Sequence, residues 1–109
     1  MSKKNISIDV DLNDSNIPTS IEWKADDLDS ADSIKCRAMI LSLWDHSKKD
    51  TLRLDLWTEK MTVDEMKIFF HQTLTSMAET LERSIADERI AGDMRDFCAH
   101  FAEKMEISE

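Results

Sequence analysis

Residues 51–66 read TLRLDLWTEKMTVDEM, and two different periodicities meet within this stretch. Every second residue from position 52 to position 56 is leucine, which is the period of a β-strand with one buried face. Thr62 and Glu65 follow with the three-residue spacing of a capping box, a signature of a helix N-terminus. The stretch therefore predicts a strand that ends near Trp57 and a helix that begins at the Thr62 cap.

Upstream of this junction, two further segments alternate between apolar and polar side chains. They cover residues 6–12 and 19–25, and a cluster of turn-forming residues at positions 13–16 lies between them. Pro18 stands at the entry to the second segment, a position at which strands tolerate proline. We interpret the two segments as a β-hairpin.

Residues 36–45 allow two interpretations. As a strand, the segment carries apolar side chains on both of its sides. A helix in the same place would instead bring Ile34, Ala38 and Leu41 onto one face. We favour the strand, because a short polar turn and then the leucine-rich strand follow it, and together they make a second hairpin.

Two helices are predicted after the strands. The first has apolar residues at three- and four-residue spacing from Met66 to Leu81, and the second continues this pattern from Ile90 to Met105. A short break near residues 84–87 separates them. The order predicts an α+β fold, in which two antiparallel β-hairpins form a sheet and the two α-helices pack on one face of it.

Length and charge limit the choice of partners. The chain has the length of one domain, and we expect residues 1–109 to form a single domain. Its 23 acidic and 14 basic side chains give a net charge of −9. Because nucleic acids and anionic membrane surfaces attract clustered Lys and Arg, this balance argues against both. An acidic surface suits basic protein partners.

The sequence also indicates a compartment. No uninterrupted apolar stretch of the ~7–15 residues found in secretory signals follows Met1. No window approaches the ~20 apolar residues of a membrane-spanning helix, so we expect no direct membrane insertion. Cys36 and Cys98 form no closely spaced pair, and we expect two reduced thiols. These features together predict a cytoplasmic protein.

No pattern in the sequence points to catalysis, a metal or a cofactor. The acidic segment 26–33 lacks the central Gly and the closing Glu of a calcium loop, so we interpret it as a solvated loop rather than a cation site. His71 and His100 flank the apolar faces of their helices, and Cys98 lies on such a face, where inert thiols are usual. Gly92 is the only glycine, which excludes a glycine-rich phosphate loop. We therefore expect no catalytic, metal-binding or cofactor-binding residue, and a protein that is not an enzyme.

Three tryptophans, each in a different predicted strand, are the candidate partner-binding residues: Trp23, Trp44 and Trp57. Trp57 alternates with the leucines of its strand, so it points to the open side of the sheet if the leucines face the helices. One side of the 36–45 strand shares that open side, and both of its sides are apolar. Such surplus apolar surface marks a partner-binding or homodimer surface. The alternative is that the N-terminal segment or a loop covers it.

Several short stretches, in their order along the chain, are similar to those of one bacterial family. They lie at residues 21–23, 43–45, 51–58, 63–66, 69–73, 76–78 and 94–97. Through them the sequence resembles the gliding motility-associated protein GldC family. The resemblance implies a small soluble protein of Bacteroidota that is associated with movement over surfaces, and it brings no catalytic residues.

Two functions agree with these observations. The first is a cytoplasmic accessory or adaptor protein of a gliding or secretion apparatus, which binds protein partners through its open sheet face. The second is a small-ligand-binding domain, whose pocket between sheet and helices is lined by methionine and phenylalanine. The seven methionines motivate the second function, because their flexible side chains adapt to varied ligands.

Overall fold

The computed structural model of the protein describes residues 2–26 and 33–107. Within these residues five strands precede two helices, so the predicted α+β fold class is confirmed. The backbone divides into two compact units, Met1–Met61 with the strands and Thr62–Glu109 with the helices. The elements are β1 (Ile6–Leu12), β2 (Pro18–Ala25), β3 (Ile34–Cys36), β4 (Ala38–Asp45), β5 (Asp50–Trp57), α1 (Val63–Ile85) and α2 (Glu88–Lys104).

The first sheet of the strand unit is antiparallel, with its strands in the order β1-β2-β3. Its register pairs Ile8 with Trp23 and Trp23 with Ile34, which gathers apolar side chains on one face. Ile21 on this face is 1% exposed. The apolar face carries Ile6, Ile8, Val10, Ile21, Trp23, Ala25, Ile34 and Cys36. The polar face carries Ser7, Asp9, Asp11, Ser20, Glu22, Lys24 and Lys35.

The turn between β1 and β2 is built by two asparagines. The side-chain oxygen of Asn13 accepts hydrogen bonds from the backbone N–H groups of Ser15 at 2.8 Å and Ile17 at 3.1 Å. Asn16 adopts a left-handed conformation with φ of 62°, which asparagine tolerates better than most residues. The predicted hairpin is therefore confirmed, and its turn is held by local side chain-to-backbone bonds.

In the described part of the chain, the second sheet consists of β4 and β5, paired antiparallel. The 36–45 segment is extended, as predicted, but it is interrupted at Arg37. Cys36 ends β3 and pairs with Ile21 of β2, whereas Ala38 begins β4 and pairs with Trp57 of β5. The strands therefore form two sheets rather than the one sheet that we expected from two hairpins.

The predicted cap of α1 is present, and α2 has a cap that was not predicted from the sequence. The Glu65 backbone N–H donates to the Thr62 hydroxyl and the Thr62 N–H donates to the Glu65 carboxylate, both at 3.1 Å, so the capping box is confirmed. Ala86, with φ of 60°, ends α1 within the predicted break. Asp87 then caps α2 by accepting from the backbone N–H groups of the first turn.

The helix unit is an antiparallel helical hairpin. Glu82 pairs with Arg95 near the turn, and the ring of His71 stacks on Phe101 farther away, with centroids 6.3 Å apart. The Glu82 carboxylate raises the pKa of the Arg95 guanidinium, first by a hydrogen bond and then by its charge. The buried residues of this unit have small side chains: Ala78, Ala91, Cys98 and Ala102.

The large apolar side chains of the helices are less buried than the sequence suggests. Met77 and Met105 belong to the apolar spacing of the helices, but they are 51% and 37% exposed. Phe70 and Phe97 are also about half exposed. The single domain and the packing of the helices on one sheet face stay predictions. Of the acidic segment 26–33, residues 27–32 lie outside the described residues.

Candidate protein-binding surface

The β4–β5 hairpin has two faces, which the register of its strands defines. Directly paired residues of an antiparallel sheet point to the same side, and successive residues point to opposite sides. The leucine face carries Met39, Leu41, Leu43, Leu52, Leu54 and Leu56. The tryptophan face carries Ala38, Ile40, Ser42, Trp44, Thr51, Arg53, Asp55 and Trp57. Trp57 and the leucines of β5 thus point in opposite directions, as the alternation predicts.

Two of the three candidate tryptophans share one face. Trp44 is 65% and Trp57 54% exposed on the tryptophan face. Trp44 pairs with Thr51 near the turn and Trp57 pairs with Ala38 at the opposite end, so about 20 Å of strand separates them. Trp23 lies in the β1-β2-β3 sheet and is half-buried. Binding of a partner by these residues stays a prediction.

Each exposed tryptophan borders a surface cavity. Trp57 lines a cavity of about 250 Å³ together with Ile17, Pro18 and Leu56. Trp44 lines another, of about 360 Å³, at the turn of the hairpin, where Leu43 and Leu52 contribute to its wall. The first volume lies below the roughly 300–1,000 Å³ of small-molecule pockets, and the second lies just inside the lower end of that range. The cavity beside Trp57 is lined mostly by apolar residues and suits an apolar side chain of a protein partner, whereas Asp45, Lys48 and Asp50 also line the cavity beside Trp44.

An ion pair lies between the two tryptophans on the same face. Arg53 Nη2 donates to both carboxylate oxygens of Asp55 at 3.2 Å. The side chains are 55% and 45% exposed, so solvent screens this pair and it contributes little to stability. Its charges remain accessible to a protein that approaches the hairpin.

The leucine face is exposed, although the alternation of leucines in β5 predicts a buried face. Leu43, Leu52 and Leu54 are 51%, 65% and 47% exposed, and none of the six residues on this face carries a charge. The alternation of β5 gives half of the face directly. The other half requires the pairing register, which fixes the side of β4 that joins the leucines.

A third cavity, of about 410 Å³, lies beside the start of β4. Lys35, Arg37 and Lys60 line it together with Thr58, which is 3% exposed. Within residues 2–26 and 33–107, the Thr58 hydroxyl has no hydrogen-bond partner. A buried hydroxyl without a partner lowers the stability of the folded state.

The candidate titratable residues are dispersed. His71 stacks on Phe101, and His100 lies 6.2 Å from the ring of Phe97. Cys98 is buried, as predicted, and Cys36 is half-buried. In the described part of the chain, no three His, Cys, Asp or Glu side chains come together in a group that could hold a metal ion. Neither described helix combines the length and the apolar character needed to cross a membrane.

Residues 18–107 match the family of gliding motility-associated proteins described as GldC-like. The chain belongs to this family. The matched segment extends from β2 to beyond α2, so it includes the whole β4–β5 hairpin and both helices. Membership in the GldC-like family associates the chain with gliding motility and confirms the resemblance seen in the sequence. No curated protein and no solved structure matches the chain.

Proposed function

We propose that this GldC-like chain is a non-enzymatic accessory protein of a gliding or secretion apparatus, which binds another protein on the cytoplasmic side of the membrane. One observation carries the proposal: Trp44 and Trp57 are both more than half exposed on one face of a two-stranded sheet. Tryptophan is enriched among the residues that dominate protein–protein binding energy, because it offers a large contact area. Family membership supports the connection to gliding motility.

The local chemistry of the tryptophan face specifies the kind of partner. Each tryptophan borders a cavity with apolar residues in its wall, and the Arg53–Asp55 pair between them offers one charge of each sign. Two apolar anchors about 20 Å apart therefore flank a polar centre. A partner that places two apolar side chains at this spacing fills both cavities at once.

The proposal is tested by affinity purification of the tagged protein from its native host after mild crosslinking, followed by mass spectrometry. Substitution of Trp57→Glu or Trp44→Glu should remove most of the enriched motility or secretion components, since a charge replaces an apolar anchor. Ser7→Glu is the matched control, because it adds the same charge on the polar face of the other sheet.

Two results would contradict this function. One is recovery of the same partners with both tryptophan variants, provided that circular dichroism shows them folded. The other is a ligand retained by the freshly purified protein in native mass spectrometry, which favours the methionine- and phenylalanine-lined pocket. Equal loss of partners with Ser7→Glu would show that the added charge alone, and not the tryptophan face, causes the effect.

A further inference from the structure

The outer edge of β5 is open within the residues that the structure describes. β5 pairs with β4 along its whole length, and no other described strand pairs with it. A two-stranded hairpin is only marginally stable in water by itself, and further strands or packing are needed to stabilise it. An open edge also presents unpaired N–H and C=O groups to another strand.

The hydrogen-bond pattern of the hairpin shows which residues present those groups. The Thr58 N–H donates to the Arg37 carbonyl at 2.7 Å, one position beyond the last pair of the β4–β5 register. Hydrogen-bonded pairs alternate along an antiparallel ladder, so Leu52, Leu54 and Leu56 direct their N–H and C=O groups towards β4. The intervening residues of β5 direct theirs outward: Thr51, Arg53, Asp55 and Trp57.

The sequence of β5 is self-complementary around Leu54. Residues 52–56 read LRLDL, so reversal of the order leaves the leucines in place and exchanges arginine with aspartate. Two copies of β5 that pair antiparallel about Leu54 place Leu54 opposite Leu54, and Leu52 opposite Leu56 of the other copy. Arg53 of each copy then lies opposite Asp55 of the other, and opposite charges at such positions stabilise a sheet.

The direction of the backbone N–H and C=O groups of β5 agrees with this register. In a twofold pairing about Leu54, the hydrogen-bonded positions are those occupied by Arg53 and Asp55 of opposite copies. These two residues direct their backbone groups outward in the single chain. A shift of the centre by one residue, to Arg53 or Asp55, would place like charges opposite each other. A centre midway between two residues would pair each outward-directed residue with one whose backbone groups β4 already uses.

Charge also favours a second copy over other occupants of this edge. Residues 38–57 contain three acidic and three basic side chains, so the hairpin is neutral although the whole chain carries −9. Two hairpins can therefore meet without net electrostatic repulsion at the contact. A strongly basic partner gains nothing from this neutral edge.

We propose that a second copy of this chain adds its β5 antiparallel to β5 about a twofold axis at Leu54, which gives a four-stranded sheet in the order β4-β5-β5-β4. The two leucine faces become one continuous apolar face of twelve side chains. The pairing is isologous, since the same edge is used by both copies. It does not rest on the proposed accessory role, because its test is the oligomeric state of the chain alone, although residues of β5 also line the cavities beside Trp44 and Trp57.

Charge exchange tests the register on the full chain. Arg53→Asp and Asp55→Arg each place like charges opposite each other in a homodimer, so each variant should dimerise about tenfold more weakly or worse in sedimentation analysis. An equimolar mixture of the two variants should recover the dimer, because every cross-strand pair then joins an acid to a base. The ion pair within one strand is lost in both variants and cannot explain this recovery.

Disulfide formation gives a second, independent test. Leu54→Cys should crosslink to itself under mild oxidation, since directly opposite residues of a non-hydrogen-bonded pair have Cα atoms about 4.5 Å apart. Leu52→Cys is the matched control on the same face. Its own copies lie about 13 Å apart in this register, so it should not crosslink. The wild-type chain controls for Cys36 and Cys98.

Three results would overturn the proposal. Sedimentation of the wild-type chain as a monomer of 12.6 kDa at every concentration tested would contradict the proposal. Crosslinking of Leu52→Cys in preference to Leu54→Cys would refute the register. Failure of the mixed charge variants to associate, when both are folded by circular dichroism and the wild type is a dimer, would place the interface elsewhere.

Discussion

The β1-β2-β3 sheet and the β4–β5 hairpin are built from the same alternating pattern, yet they distribute apolar side chains differently. The first sheet has one apolar face, with Ile21 buried in it, and one face of serines and charged residues. The hairpin has leucines on one face and exposed tryptophans on the other. A one-sided sheet needs one covering surface, whereas a two-sided hairpin needs two. The hairpin is therefore the region where we place both proposed contacts.

The largest change in stability that we expect concerns a substitution on the apolar face of the first sheet. Ile21→Ala should lower the free energy of unfolding by about 2–5 kcal/mol, because it leaves a cavity at a buried position. Ile6→Ala is the control on the same face, where the side chain is 69% exposed and the loss should be much smaller. Urea unfolding followed by tryptophan fluorescence measures both values.

Equal losses of unfolding free energy in the two isoleucine variants would contradict the contrast between the first sheet and the hairpin. They would mean that Ile6 is covered in solution as fully as Ile21. The first sheet would then require a second covering surface, as the hairpin does.

A smaller change in stability, of opposite sign, is expected at Thr58, directly after β5. Thr58→Val should raise the free energy of unfolding by about 1–2 kcal/mol, since it removes a buried hydroxyl that lacks a partner and keeps the shape of the side chain. Thr51→Val, at an exposed position of β5, should change stability very little. A lower melting temperature for Thr58→Val than for the wild type would show that the hydroxyl is hydrogen-bonded in solution.

The smallest change in stability that we expect concerns the polar face of the first sheet. Asp9 lies directly opposite Glu22, and like charges in this arrangement destabilise a sheet. Asp9→Lys should therefore raise the free energy of unfolding by about 0.5 kcal/mol at low salt, and less at high salt. The control Asp11→Lys makes the same change of net charge opposite Ser20. An equal gain in both variants would assign the effect to net charge rather than to the cross-strand pair.

Local sequence patterns were sufficient for β1, β2, β4, β5 and the two helices, and for the cap of α1. The alternation of residues 6–12, 19–25 and 52–56 and the capping box at Thr62 each depend on neighbours a few residues away. The division into two sheets was not predictable in this way. Cys36 and Ala38 continue one alternation, but they pair with β2 and β5 respectively, and the choice of partner strand is a long-range property.

For the candidate site, too, alternation within one strand was predictable and the pairing between strands was not. Alternation correctly separated Trp57 from the leucines of β5, because it depends only on the period of a strand. It could not group Trp44 with Trp57 or separate Trp23 from both, since these relations depend on which strands pair. The exposure of each tryptophan depends in addition on what packs against it, which no pattern within one strand encodes.

The turn between the two helices has a consequence for the helical hairpin as a whole. Ala86 holds a left-handed conformation that costs alanine roughly 1–2 kcal/mol, although alanine is the residue that most favours a right-handed helix. The backbone of the turn therefore opposes the reversal of direction, and the Asp87 cap and the contacts between the helices must maintain it. If the Glu82–Arg95 and His71–Phe101 contacts were removed together, residues 63–104 would favour a single continuous helix over the helical hairpin.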